Sequence, residues 1–173
     1  MKISGDIYGG FESQLNHVDL QAPTSTGEEV ALNEKWEVKV WNVDPENDVW
    51  LVDFVSTLNP ATESPLTIKA YRYQGFSLRA TAEWSDETAT LLTSQGYDKS
   101  NGNATRARWT DINGVSQEGH SGILFMTHPT TPELPEQLRI WPTGANEGEE
   151  NVYFNFNPPR TSWHLEPGQQ LQP

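Results

Sequence analysis

The sequence predicts an all-β fold, an antiparallel β-sandwich of about nine strands. No window repeats apolar residues at every third or fourth position, so the periodicity of an α-helix is nearly absent. Short β-branched and aromatic runs instead alternate with polar residues, and Gly, Pro, Asn and Asp separate them. Many short strands at close spacing are typical of an antiparallel sandwich. A supersandwich-like arrangement is one alternative within this fold class.

In chain order, the first predicted strand covers residues 36–41, where Trp36, Val38 and Val40 share one face. Residues 49–55 are more continuously apolar, which predicts a central strand. The remaining strands are predicted where alternation returns, over residues 66–70, 76–82, 88–93, 106–112, 121–127, 138–141 and 152–156.

The connections are predicted from their turn-forming residues. Residues 44–48 form a hairpin turn, and Asn113–Gly114 forms a second one of type I′. Residues 98–103 form a polar loop, 129–135 a proline-rich connection and 144–151 an acidic loop.

We expect a single β-sandwich domain over residues 1–157, followed by a peripheral tail over 158–173 that is rich in proline and glutamine. The predicted core takes the apolar face of the strongest strands, namely Trp50, Phe54, Leu78, Ala80, Trp109, Ile123 and Phe125.

Composition restricts the classes of partner. The 173 residues include 24 acidic and 11 basic side chains, a net charge of −13, which argues against nucleic acid and anionic membranes. Apolar runs are far shorter than the roughly 20 residues of a membrane span, and no apolar signal core opens the chain. There is no cysteine, hence no disulfide and no thiolate ligand or nucleophile. We expect no cofactor.

Arginines beside aromatic residues are the main functional signal. Arg106 and Arg108 share one strand face, about 6–7 Å apart, and Ala107, Trp109 and Asp111 take the other. Arg79 interrupts an otherwise apolar strand. Such groups suit a planar, polar ligand with hydroxyls or a carboxylate. The alternative is a solvated face with cross-strand ion pairs.

The histidines do not predict a metal site. His120 and His128 lie about 26 Å apart along one predicted strand, too far to share one ion. His128, held extended by Pro129, either caps a pocket or bonds a loop carbonyl.

Seven tryptophans are many for this length. Trp84, Trp141 and Trp163 lie at strand ends or in loops, where they could stack on sugar rings. Ordinary packing at sheet edges is the alternative.

An ordered set of motifs resembles the bacterial PmoA family between about Trp50 and Gly168. The segments are Gly75–Arg79, Arg106–Asp111, Gly122–Pro129, Leu138–Pro142 and Tyr153–Phe156. The resemblance covers only the second half of that family's pattern, so we expect the chain to be truncated relative to the family. It implies a β-sandwich protein, secreted or periplasmic, from bacteria that degrade polysaccharides. Family members also carry an upstream H-P-H-H stretch and a final strand, and neither is found here.

These observations predict a carbohydrate-related protein that binds or processes a sugar or sugar acid. The ligand would contact Arg79, Arg106, Arg108, Arg139 and Trp141, and His128 would be the proton carrier. A non-catalytic interaction domain and a metal-dependent oxidative enzyme are the alternatives. An exposed sheet edge would also allow this chain to form a homodimer.

Overall fold

The computed structural model describes residues 1–23, 27–71, 73, 75–131, 134–145, 152–156 and 161–172. The described part contains thirteen β-strands, one 3-10 turn and no α-helix, so the predicted all-β antiparallel fold is confirmed. The strands are β1 Lys2–Ile3, β2 Tyr8–Asp19, β3 Glu29–Asp44, β4 Val49–Pro60, β5 Leu66–Ile68, β6 Phe76–Arg79, β7 Ala89–Thr93, β8 Arg106–Ala107, β9 Trp109–Ser116, β10 Gly119–Met126, β11 Glu136–Ile140, β12 Tyr153–Phe156 and β13 Trp163–Leu165.

The contacts divide the chain into two compact units. Unit 1 comprises Met1–Ile68 and Trp163–Pro173, and unit 2 comprises Lys69–Ser162. This division differs from the expected single domain over 1–157 with a peripheral tail. The difference arises because β13, from the expected tail, pairs with β5, and its Leu165 is buried.

Unit 1 is built on a four-stranded antiparallel sheet in the order β1-β2-β3-β4. Its core lies at one end of the long strands, where Leu32, Leu58 and Leu165 are buried. The predicted turn over residues 44–48 is confirmed, because the 3-10 turn Pro45–Asn47 joins β3 to β4. Strands β1 and β2 were not predicted from the sequence.

Unit 2 is a two-sheet sandwich. One sheet has the order β10-β9-β7 and the other β6-β12-β11-β8. Both contribute to one core, in which Ile112, Leu138 and Phe154 are completely or almost completely buried. The ring of Phe125 in β10 lies 5.1 Å from that of Phe154 in β12, so aromatic packing joins the two sheets.

The predicted strand over residues 106–112 is two strands in different sheets. Arg106 and Ala107 pair with β11, whereas the chain from Trp109 pairs with β10 and β7. The break at Arg108 reverses which residues face inward, so Thr110 and Ile112 are buried and Trp109 is exposed.

The type I′ turn predicted at Asn113–Gly114 is wrong. Both residues lie inside β9, and the chain turns between Ser116 and Gly119. Gly114 is required for another reason, because a Cβ there would lie 2.9 Å from the indole of Trp84.

The core prediction is right for part of unit 2 and wrong elsewhere. Leu78, Ala80 and Phe125 pack against the core as partly buried residues. Exposed positions are Trp50, Phe54, Trp109 and Ile123. The run 49–55 belongs to β4, which ends its sheet instead of occupying the centre, and β10, which carries Ile123, is also a terminal strand.

None of the described helical structure is long enough to cross a membrane.

Candidate functional site

The outer face of the four-stranded sheet in unit 2 collects several of the predicted ligand-binding residues. Arg79 lies opposite Tyr153 in the β6–β12 register, and Arg139 lies opposite Asn155 in the β11–β12 register. The Trp141 N–H donates to the Tyr153 carbonyl, which continues the pairing of β11 and β12 beyond its last ladder residue. Because alternate strand residues share a face, Arg79, Arg139, Trp141 and Tyr153 project from the side opposite to the core.

These side chains form a continuous stack, which we name the arginine–aromatic cluster: Tyr73, Arg79, Arg139, Trp141 and Tyr153. The Cζ of Arg79 lies 5.2 Å from the ring centroids of both Trp141 and Tyr153. Those two rings lie 4.8 Å apart, and Tyr73 packs edge-on against Tyr153 at 6.0 Å. These distances are those of cation–π and tilted aromatic contacts.

Arg79 is the accessible cation of the cluster. Its side chain is exposed, and among the described residues no carboxylate lies within ion-pair distance of it. A guanidinium that stacks on rings uses its face and leaves the N–H groups at its edge available. Arg79 can therefore donate to a ligand without leaving Trp141 and Tyr153.

Arg139 is held more firmly than Arg79. Its Cζ lies 5.5 Å from the Tyr73 ring, and its Nη1 donates to Asn103 Oδ1 at 2.8 Å. The same Asn103 oxygen accepts the Ile140 N–H at 3.2 Å, which fixes the amide against β11. Arg139 Nε is buried and has no hydrogen-bond partner within the described part of the chain. Arg139 thus orients the cluster and supplies positive charge.

The other two predicted arginines lie outside the cluster. Arg106 in β8 faces Gln137 and so shares the outer side of the sheet with Arg139, and its Nη1 donates to the Pro135 carbonyl at 2.6 Å. Arg108 lies at the break between β8 and β9 and is exposed. The predicted pairing of Arg106 and Arg108 on one strand face is wrong, because the strand ends between them.

His128 lies in the turn after β10. Its Nδ1 accepts the Thr130 N–H at 3.3 Å and lies 2.7 Å from Thr130 Oγ1. Thr131 donates its N–H and hydroxyl to the His128 carbonyl. These contacts are those of a turn-forming residue, and no described contact joins His128 to the arginine–aromatic cluster.

Two tryptophans proposed for stacking have different surroundings. Trp84 is a core residue at 6% exposure, whereas Trp163 is half-buried in β13 of unit 1. The tyrosines of the cluster and Asn103 were not identified from the sequence. The alternation of faces along residues 153–156, compared with that of the strand carrying Arg79, could have indicated Tyr153. Asn103 lies in a loop, where no alternation marks one face.

A second polar cluster lies on the unit 1 sheet. The Glu34 carboxylate accepts hydrogen bonds from Ser56 Oγ and Trp36 Nε1, both at 2.6 Å, and lies 2.9 Å from His17 Nε2. Burial raises the pKa of Glu34, but these hydrogen bonds outweigh it and lower the pKa below its ordinary value of 4.5. The order of groups is Ser–Glu–His, so the histidine cannot accept the serine proton as in a nucleophilic triad.

No group of three possible metal-binding side chains occurs among the residues that the structure describes. The shallow depressions found there, of about 410 and 250 Å³, are lined by other residues than the predicted ligand-binding set. Among the described residues, the arginine–aromatic cluster lines neither of these depressions.

These features define an all-β antiparallel protein with a two-sheet sandwich that exposes an arginine–aromatic surface. A model described as "Family of unknown function (DUF6807)" matches residues 2–172, and the chain belongs to this family. No curated protein and no solved structure matches the chain significantly.

Proposed function

We propose that unit 2 binds a carbohydrate or sugar acid on the arginine–aromatic cluster, and that it does so without catalysis at this surface. The observation that carries the proposal is the exposed Arg79 guanidinium in contact with two neighbouring rings, with no acidic partner among the described residues. Carboxylates are abundant in this chain, with 24 acidic side chains against 11 basic ones, and none of the described ones forms an ion pair with Arg79.

The cluster offers the two kinds of contact that a sugar acid uses. Trp141 and Tyr153 present half-buried rings suited to the apolar face of a pyranose. The Arg79 edge supplies paired donors that match a carboxylate or two neighbouring hydroxyls. Arg139 adds a second positive charge on the same face. An open surface buries little of a small ligand, so we expect dissociation constants in the micromolar to millimolar range.

The proposal is tested by calorimetric titration with matched neutral and acidic oligosaccharides, for example galactose and galacturonic acid oligomers. Arg79→Ala should weaken binding about 10-fold or more, because charge-assisted hydrogen bonds contribute roughly 1.5–3 kcal/mol. Arg108→Ala is the matched control, since it removes the same charge from an exposed arginine outside the cluster. Equal losses for the two variants, or no binding at millimolar ligand, would refute the proposal.

A non-catalytic interaction domain is the second candidate. The outer side of the sheet formed by β10, β9 and β7 exposes Leu92, Leu124 and Met126 at 46%, 53% and 60%, beside Trp109. Apolar patches of this kind often mark protein contacts. A secreted or periplasmic location and the similarity to the PmoA family stay predictions. The homodimer through a sheet edge is a separate proposal that depends on unit 1 alone.

A further inference from the structure

Strand β4 exposes an apolar run at the end of the unit 1 sheet. It pairs with β3 along one side, and all seven residues of Val49–Val55 are exposed. Asp53 is the one charged residue in this run, and its carboxylate accepts the Trp41 Nε1–H at 2.8 Å. The run contains no lysine and no proline. Monomeric proteins usually protect such an edge with those residues, with a bulge or with a covering segment, and here the register with β3 shifts only between Val49 and Leu51.

The hydrogen bonds of Leu58 show which backbone groups of β4 point away from β3. Its N–H and carbonyl bond to the carbonyl and N–H of Leu171, at 2.8 and 2.9 Å. The β3–β4 register runs without irregularity from Leu58 to Leu51. Because backbone direction alternates along an antiparallel strand, Phe54 and Val52, within this regular part, present their N–H and carbonyl groups on the Leu171 side.

We propose that two copies of this chain associate through antiparallel pairing of their β4 strands, with the two-fold axis at Val52. The occupant of the edge is a second copy because an antiparallel strand is complementary to itself under a two-fold rotation. The exposed run is also centred on Val52, which lies three residues from each of its ends. Pairing over this run stops before Leu58, where the chain's own Leu171 already bonds to the edge.

The side chains favour this register over the symmetric register centred on Asp53. With the axis at Val52, the two Val52 residues face each other and Trp50 lies beside Phe54 of the second copy. The Trp36–Phe54 ring contact, at 5.3 Å, then extends across the axis. Asp53 faces Leu51 of the second copy. Moving the axis to Asp53 would place two carboxylates directly opposite each other, which is destabilising.

Cysteine cross-linking tests the register, since the natural chain contains no cysteine. Two Val52 residues in a hydrogen-bonded antiparallel pair lie about 5.5 Å apart at Cα, which a disulfide spans. Val52→Cys should form a covalent dimer under mild oxidation, whereas Leu51→Cys should not. Val115→Cys is the matched control, because Val115 in unit 2 is 54% exposed and Val52 is 53% exposed. Cross-linking of Val52→Cys no faster than the control overturns the proposal.

Sedimentation velocity tests the association without a covalent bond. The wild type should sediment as a dimer at tens of micromolar, Val52→Lys as a monomer because two ammonium groups would meet at the axis, and Val115→Lys as a dimer. Circular dichroism checks that each variant retains its strands. A monomeric wild type at this concentration, or equal behaviour of the two lysine variants, overturns the proposal. Carbohydrate binding by unit 2 is measured separately, so the two proposals fail independently.

Discussion

Gly114→Ala is the substitution whose effect follows most directly from the packing of unit 2. The added Cβ would lie 2.9 Å from Cδ1, Cε2 and Nε1 of Trp84. That indole is 6% exposed and belongs to the core, so it has little room to move. Overpacking of this kind costs about 1–3 kcal/mol. The loss of backbone freedom in the unfolded chain offsets about 0.4–1 kcal/mol. We expect a net destabilisation of up to about 2.6 kcal/mol.

Urea unfolding followed by near-ultraviolet circular dichroism measures this effect. With a slope of about 2 kcal/mol per molar urea, the midpoint should fall by up to roughly 1.3 M. Gly9→Ala is the control, because its Cβ would lie 3.6 Å from the Ile3 carbonyl, an ordinary contact. We expect that control to be more stable than the wild type by about 0.4–1 kcal/mol, because it loses the same backbone freedom in the unfolded chain without a close contact in the folded one. A midpoint for Gly114→Ala at or above the wild-type value would show that Trp84 does not pack on Gly114.

Two further predictions follow from burial and from charge. Phe154→Ala should lower the free energy of unfolding in urea by about 3–5 kcal/mol, because Phe154 is 0% exposed. Trp50→Ala should lower it by less than about 1 kcal/mol, because Trp50 is 61% exposed. Equal losses would contradict the assignment of the core. The lowered pKa of Glu34 stabilises the folded chain above pH 4.5, and this contribution is lost as the pH falls through the folded pKa. Glu34→Gln should therefore be less stable than the wild type at pH 7, and the difference should shrink in acid; a difference independent of pH would contradict this account.

The sequence was sufficient for the fold class because alternation and turn residues are local signals. The structure also brings together three of the predicted ligand-binding residues, Arg79, Arg139 and Trp141, which stand out as charged or aromatic residues in the sequence. The register that places Arg79 opposite Tyr153 is a long-range property of β6 and β12, and no local pattern encodes it.

The errors have the same physical origin. An apolar run predicts burial, but β4 is terminal in its sheet, and its position depends on β1 and β2, which carry weak patterns. The change of sheet at Arg108 inverts the facing of every later residue in that segment, so Trp109 is exposed and Thr110 is buried. Gly114 resembles a turn residue in sequence, and its requirement comes from Trp84, thirty residues earlier in the chain.

The central claim is that the arginine–aromatic cluster binds the ligand, and nuclear magnetic resonance of the tryptophan indoles tests it most directly. The seven tryptophans give separate Nε1–H signals, which variants can assign. On titration with a galacturonic acid oligomer, the Trp141 signal should shift in a saturable way, and the exposed Trp50 and Trp109 signals should stay in place. In Arg79→Ala, the Trp141 shift should require at least about 10-fold more ligand. Saturable shifts at Trp109 or Trp50 with none at Trp141 would contradict the account and place the binding surface elsewhere.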